Sequence, residues 1–192
     1  MEFITGTSGG LSPDLMMGLA RFRHHVFVDM LGWQLQTRGD GLELDQFDRP
    51  DTVYVIARDE AGDVTGSARL LPTIKPYLLG EVFPHLLHGQ PVPSSPAIWE
   101  LSRFAAVDFS AGRTSAVSQF SSPVAVGLLR AALRVAAERG AERLITVSPL
   151  GIERLLRRAG FRAHRAARPC IVDGHPLFAA LIEIDESPRQ TH

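Results

Sequence analysis

The sequence predicts an α/β (α+β) protein in which a mixed central sheet is flanked by helices. Three observations carry this. Two β-rich runs, TVYVIAR at 52–58 and VTGSARLL at 64–71, are separated by DEAGD, a turn composition, and read as an antiparallel hairpin. A further strand pattern, AIWELSRFAAV at 97–107, is followed by a helical pattern and then by RLITVS at 143–148; strands joined through a helix imply a parallel pair. Ser12-Pro13 and Ser122-Pro123 each open an amphipathic stretch with a capping hydroxyl and a proline suited to the first helical position.

In chain order, 1–7 reads as a short edge strand. The helix begun at Ser12 carries Asp14 near its positive end, runs to about Met30 and stops near Gly32. Residues 34–51 are polar, acidic and glycine-bearing, a loop or a broken helix. After the hairpin, 72–96 holds six prolines and is an irregular connection with a short helix near 81–87. A small-residue linker, 108–120, precedes the helix from Ser122 to Gly140. Ser148-Pro149 is read as opening another helix, closed by Gly160. FRAHRAA at 161–167 and HPLFAALIEID at 175–185 read as two final strands around a VDG turn. The order β-α-β-β-(α)-β-α-β-α-β-β shows no repeat and no dividing linker, so 1–192 is expected to be one domain. It matches the GNAT-type acyltransferase fold, which alone assigns no activity.

Composition narrows the class. The 192 residues are 45% hydrophobic and 21% charged, ordinary for a globular chain able to bury a core. No run approaches the roughly 18 apolar residues of a membrane span, and no basic-then-apolar start marks the chain for export. A single cysteine, Cys170, excludes an intramolecular disulfide and fits a reducing compartment, so a cytoplasmic location without membrane attachment is expected. The net charge of -1 argues against nucleic-acid binding, but the charge is uneven. Residues 40–63 hold eight acids against Arg49 and Arg58, whereas 128–168 hold ten arginines against Glu138, Glu142 and Glu153. The arginines read mainly as solvated helix faces; the sharper reading is a docking surface for an acidic partner.

Familiar motifs fail. Neither G-x-G-x-x-G nor a P-loop occurs, and Gly6-Thr7-Ser8-Gly9-Gly10 lies too near the N-terminus for a nucleophile elbow. His24, His25, His85 and His88 lack partners at zinc-ligand spacing, and 40–45 lacks the alternating oxygens of a calcium loop, so no metal is expected.

Charges in apolar surroundings remain. Arg23 sits in RHHVF, Asp45 and Asp48 in LDQFD, Arg69 in SARLL, and Glu100 and Arg103 in WELSRF. Buried charge is costly unless paired, and three arginines can neutralise three carboxylates, either as a structural ion network or as a functional site. Strand alternation puts Glu100 with Ser102 on one face and Trp99, Leu101 and Arg103 on the other; for Glu100 and Arg103 to serve one site, a bulge must bend the strand between them.

The run Arg23-x-x-Val26-Phe27, Leu31-Gly32-Trp33, Asp45-x-x-Asp48, Arg69-Leu70-Leu71-Pro72-Thr73 and Trp99-Glu100-Leu101-Ser102-Arg103-Phe104 resembles the acyl-homoserine-lactone synthases, the LuxI-type autoinducer synthases. All eight positions of that family's pattern are filled: Arg23, Phe27, Trp33, Asp45, Asp48, Arg69, Glu100 and Arg103. Order and spacing agree over roughly 20–105, and Pro76-Tyr77-Leu78 extends the match; the C-terminal half matches only through TVS and a helix rich in Arg and Leu.

The resemblance implies acyl transfer to the amine of S-adenosylmethionine (SAM), then lactone closure with release of methylthioadenosine. SAM is a substrate there, and no cofactor is implied. The donor is an acyl carrier protein (ACP) thioester or acyl-CoA. Glu100 is the candidate base, through a water, beside a cleft where the central strands splay, with Arg103 orienting it or bracing the network. Main-chain N–H groups near Ser102–Phe104 are candidates for the oxyanion. On the SAM side, Asp45 and Asp48 attract the cationic groups, Arg69 or Arg23 binds the carboxylate, Trp33 covers the substrate and Phe27 shapes the pocket. Leu101, Phe104, Val126, Ile145, Thr146, Val147 and Leu150 are the candidate acyl-binding residues, and Ile145 or Thr146 occupies the place linked in the family to 3-oxo chains; an unsubstituted medium chain is expected. Arg130, Arg134, Arg154, Arg157 and Arg158 are candidates for docking the acidic ACP. The rival enzyme reading is a GNAT-type N-acetyltransferase using acetyl-CoA, but its Arg/Gln-x-x-Gly-x-Gly/Ala loop is missing from 108–122. A non-catalytic module that binds SAM or an acyl group is the other rival.

Overall fold

The computed structural model describes residues 1–35, 40–107 and 122–184, with the backbone alone at 37–38. The elements are β1 (Glu2–Thr7), α1 (Pro13–Arg23), a π-helix (His24–Met30), β2 (Thr37–Arg38), β3 (Leu42–Glu43), β4 (Val53–Arg58), β5 (Val64–Pro72), α2 (Leu78–Glu81), a 3₁₀ turn (Pro84–Leu87), β6 (Ile98–Ala106), α3 (Pro123–Ala137), β7 (Arg143–Pro149), α4 (Ile152–Arg158), β8 (Ala163–Arg165), β9 (Cys170–Val172) and β10 (His175–Glu183).

The main sheet runs β1-β4-β5-β6-β7-β10-β8, with β9 on β10. Its β6–β7 pair is parallel and its other described pairs are antiparallel, the mixed sheet that a hairpin and a helical crossover require. The predicted linker at 108–120 lies outside the described residues.

Both serine caps form as expected: Ser12 Oγ accepts from the Leu15 N–H at 3.3 Å and Ser122 Oγ from the Ala125 N–H at 3.1 Å. The first helix does reach Met30, but from His24 it widens to a π-helix, a form often found at functional sites. Gly32 then turns the chain with φ +67°. The loop expected at 34–51 contains the small β2–β3 hairpin, and the connection at 72–96 contains α2 and the 3₁₀ turn.

Two expectations are corrected. Ser148-Pro149 does not open a helix: both residues finish β7 against β10, and α4 begins at Ile152 after Gly151, whose φ of +96° suits only glycine. The strand expected at 161–167 forms as β8 on the far part of β10, but the C-terminal hairpin is made by an unexpected strand, β9, and β10 around Asp173 and Gly174. Interruption at 166–169 divides one sheet edge into these two pieces.

Helix α3 packs on one face of the sheet, where Leu128, Leu129, Ala132 and Val135 meet Val55, Ala68, Leu70 and Leu101. The opposite face is covered by α1 and the π-helix, through Leu19, Phe22, Val26 and Phe27, and farther along by Leu79 and Leu86. Gly66 lets α3 approach closely, because a Cβ there would lie 3.1 Å from Leu128 Cδ2 and 3.0 Å from Ala57 Cβ. Gly66→Val is therefore expected to lower stability by ~1–3 kcal/mol through overpacking, measurable by urea unfolding. Among the described residues no helix is long and apolar enough to cross a membrane.

Candidate active site

The charged residues meet on the α1 face. Arg23 closes α1, and the β3 segment and the turn after it lay three carboxylates across the sheet beneath it. Arg23 Nε donates to Glu43 Oε2 at 2.5 Å, and its Nη1 and Nη2 donate to Asp48 at 2.7 and 3.0 Å. Arg69 Nη1 is shared by Asp45 Oδ1 at 2.6 Å and Asp48 Oδ1 at 3.0 Å, and its Nε donates to Ser102 Oγ at 3.0 Å. Arg103 Nη2 donates to Glu43 Oε1 at 3.0 Å and to Asp45 Oδ2 at 2.9 Å. Three cations thus meet three anions in a buried, formally neutral network, the condition under which buried charge is tolerated.

Its third anion is Glu43, which replaces Glu100 in the trio the sequence suggested. Burial works to push the Glu43 and Asp48 carboxyls up, but Arg23 and Arg103 together outweigh it at Glu43, as Arg23, Arg69 and the Tyr54 hydroxyl do at Asp48; both are held below the usual carboxylate range. Burial also opposes the Arg23 cation, and Asp48 with Glu43 raises its pKa regardless. Exposure separates the anions. Glu43 is 0% exposed and Asp48 5%, while Asp45 reaches 13%. Among the described residues, the buried Nη2 of Arg69 has no hydrogen-bond partner, whereas all three side-chain nitrogens of Arg23 are engaged.

The required bulge is present. Register slips between Ser67 and Arg69 on β5, and Arg103 on β6 adopts a left-handed φ of +48°. Simple alternation would turn Arg103 to the α3 face; the inserted residue brings it beside Ser102 and toward Glu43 and Asp45. One strand therefore delivers Glu100, Ser102 and Arg103 to the same side. Pairing between β6 and β7 stops at Glu100 and Ile145, so the strands part there, and Glu100 stands at the fork.

Glu100 is fully buried and does not line an open cleft as expected. Its Oε2 accepts from the Leu78 N–H at 3.0 Å and its Oε1 from the Leu79 N–H at 2.6 Å, which ties α2 to β6. Burial raises its pKa, against the opposing effect of those two N–H groups and of Arg69 and Arg103. Beside it the Tyr77 hydroxyl, pushed up to about 12 by burial and Glu100, donates to the Pro93 carbonyl at 2.7 Å.

Phe27 and Trp33 stack with ring centroids 4.9 Å apart, and Arg103 Cζ lies 5.8 Å from the Phe27 ring centre. The wide turn that ends the π-helix, with the Trp33 N–H on the Phe27 carbonyl at 2.9 Å, produces this stack. Phe27 is buried, and Trp33 is 42% exposed.

The proposed acyl-binding residues divide. Leu101 and Phe104 pack on the α3 face, whereas Ile145 and Val147 pack on the other with Leu79 and Leu86. Thr146 is buried and Val126 half-buried on α3. Leu150 does not join an apolar lining: it is 47% exposed and borders a cavity of about 610 Å³ walled by Arg154, Arg157, Arg158 and Arg165, with Glu153 paired to Arg157 and Arg165. Helix α4 starts later than expected, which leaves Leu150 in the turn before it. Arg130 and Arg134 project from α3, a separate helix.

The autoinducer synthase family model matches residues 12–191. The chain belongs to the autoinducer synthase family. By that membership it is an acyltransferase. It is 53% identical over 184 residues to an acyl-homoserine-lactone synthase of Acinetobacter nosocomialis, covering 96% of this chain and 100% of that one. The crystal structure of TofI in a ternary complex with an inhibitor and MTA superposes with a TM-score of 0.82 at 44% identity, over 96% of this chain and 92% of that one. BjaI, a CoA-dependent acyl-homoserine lactone synthase solved with SAM and isopentyl-CoA, does so with 0.81 at 29% identity, over 95% and 82%. A Pseudomonas aeruginosa acyl-CoA N-acyltransferase shares the fold, with a TM-score of 0.60 at 17% identity over 95% and 98%. The wider GNAT-like fold is therefore present, and the autoinducer synthase match decides against a general N-acetyltransferase.

Sequence reasoning missed two members of this network. Glu43 lies between Leu42 and Leu44, the same apolar setting that singled out Asp45, so its signal was present. Tyr54, whose hydroxyl donates to Asp48 Oδ1, is an ordinary strand aromatic in sequence and gives no such sign.

Proposed function

We propose that this chain makes an acyl-homoserine lactone by joining a thioester-borne acyl group to SAM and then closing the ring. The observation that carries this reading is the convergence of the neutral ion network, the Phe27–Trp33 stack and Glu100 where β6 and β7 part.

In the first step the SAM amine, once deprotonated, attacks the thioester carbonyl. A C–N bond forms, the C–S bond breaks, and the thiolate leaves as a thiol, taking up the second proton that the nitrogen sheds on becoming an amide. Glu100 takes the amine proton through a water, a role suited to a carboxyl whose pKa burial has raised. Backbone N–H groups near Ser102–Phe104 hold the oxyanion. In the second step a SAM carboxylate oxygen attacks the carbon bearing the sulfonium, an O–C bond forms, and methylthioadenosine departs as a neutral thioether. The leaving group is already activated, so this step needs alignment rather than proton transfer.

Exposure and occupancy divide the labour. Asp45, the most exposed of the three network anions, faces the cationic groups of SAM; Asp48 and Glu43, filled by guanidinium donors, organise. Arg69 binds the SAM carboxylate through its unpartnered Nη2, while Arg23 braces the network. Trp33 covers the substrate, with Phe27 and Arg103 behind it. The acyl chain enters the fork, between Leu101 and Phe104 on one side and Ile145 and Val147 on the other, with Thr146 and Val126 at its edge. An acidic ACP is the donor, held by Arg154, Arg157 and Arg158 around their cavity, with acyl-CoA as the alternative that BjaI uses. The chain works as one domain in the cytoplasm, needs no cofactor, and takes an unsubstituted medium-length acyl group.

Incubation of the purified protein with SAM and a panel of acyl-ACP and acyl-CoA donors, followed by mass spectrometry, tests this. Equal amounts of lactone and methylthioadenosine are expected, with acyl-ACP the faster donor. No lactone from any donor overturns the reading.

A further inference from the structure

The Tyr54 ring is fully buried with Leu19 and Ile56, where an aromatic core residue would be unremarkable but for its hydroxyl. Tyr54 is the register partner of Arg69 across β4 and β5, so the two side chains leave the sheet side by side on one face. The hydroxyl donates to Asp48 Oδ1, the same oxygen that takes Arg23 Nη1 at 2.7 Å and Arg69 Nη1 at 3.0 Å. Arg69 Nη1 is itself divided, lying closer to Asp45 at 2.6 Å than to Asp48. Burial and Asp48 raise the phenol pKa, so the group remains a donor throughout the working range.

We propose that the Tyr54 hydroxyl is a positioning group that sets the direction of the Arg69 guanidinium and, through it, the affinity for SAM. By occupying Asp48 Oδ1, Tyr54 limits the pull of Asp48 on Arg69. Arg69 then stays drawn to Asp45, with Nε on Ser102 and the buried Nη2 left without a partner among the described residues, the donor this reading gives to the SAM carboxylate. Without the hydroxyl, Asp48 Oδ1 recovers capacity for Arg69 Nη1, and the planar guanidinium must rotate as one body, which moves Nη2. No atom of Tyr54 needs to touch SAM for this. The inference rests on Arg69 as the carboxylate-binding group.

Tyr54→Phe tests it, because it removes one oxygen and keeps the ring in the core. The expected result is a KM for SAM raised about tenfold, the scale of one lost hydrogen bond to a charged group, with the KM for the acyl donor unchanged. A Tm within a few degrees of the parent is expected alongside. A KM for SAM within about twofold of the parent overturns the proposal, as does a Tm fall above roughly 10 °C, which indicates a purely structural role. Equal rises in both KM values overturn it too. Arg69→Lys, measured in parallel, separates the two claims. If that variant leaves the KM for SAM unchanged, the reading of Arg69 fails and this inference with it. If it raises that KM and Tyr54→Phe does not, only the role of Tyr54 falls.

Discussion

Replacing Arg23 with methionine is expected to cost ~3–5 kcal/mol of folding stability, the range for removing one partner from a buried ion pair. Methionine fills a similar volume, so little of the loss comes from a cavity. It comes from Glu43 and Asp48, which lose the largest of the charges that together offset their burial. For a chain of this size the change corresponds to a Tm lower by roughly 6–20 °C. The loss also depends on pH. In the parent, both carboxyls have folded pKa values below their unfolded values, so their stabilisation is present above the unfolded pKa and is lost as pH falls through the folded one. In the variant Arg103 and Arg69 remain, but that advantage shrinks and the carboxyls are held less firmly in their charged form. The gap between parent and variant is therefore widest near neutrality and narrows in acid, as urea unfolding at pH 7 and pH 4 will show. A gap that stays constant over that interval would mean that Arg23 stabilises by packing alone.

The same physics explains what could be read from sequence. Helix starts at Ser12 and Ser122 are local events, a hydroxyl and a proline acting within one turn, and both appear where expected. The hairpin of β4 and β5 is likewise encoded by its own residues and turn. Charges among apolar neighbours announce burial because an unpaired buried charge is so costly, and Arg23, Asp45, Asp48, Arg69 and Arg103 do meet. Partner choice is different, because it is decided by tertiary placement. Glu43 reaches the network only because the short β2–β3 hairpin lays it beneath Arg23, and Glu100 is drawn away by two N–H groups of α2. The bulge at Arg103 was legible only as a requirement for Glu100 and Arg103 to share a site, since no glycine marks it. The start of α4 was misplaced because Ser148-Pro149 satisfies the rule for a helix cap while its backbone is claimed by β10. A local signal lost there to sheet pairing, and Leu150 moved out of the acyl-binding set with it.

Glu100→Gln is expected to lower kcat/KM by ~10²–10⁴-fold, the usual scale for loss of a general base. The parent should show an acid limb in its kcat/KM profile lying above the ordinary carboxylate range, because burial raises the Glu100 pKa, and the variant should lack that limb. Stability separates this role from a purely structural one. Glutamine offers one acceptor oxygen to two N–H donors, so either Leu78 or Leu79 is left unsatisfied, at about 1–3 kcal/mol. The pH dependence of that penalty runs opposite to the one at Arg23. The folded pKa of Glu100 lies above its unfolded value, so its contribution is fully present below the unfolded pKa and is lost as pH rises through the folded one. The penalty of Glu100→Gln should thus be largest in acid and shrink toward neutrality. A structural anchor alone would lose stability on this pattern while keeping its rate per folded molecule and its acid limb. An unchanged rate in a folded variant removes Glu100 from proton transfer and leaves it as the clasp between α2 and β6.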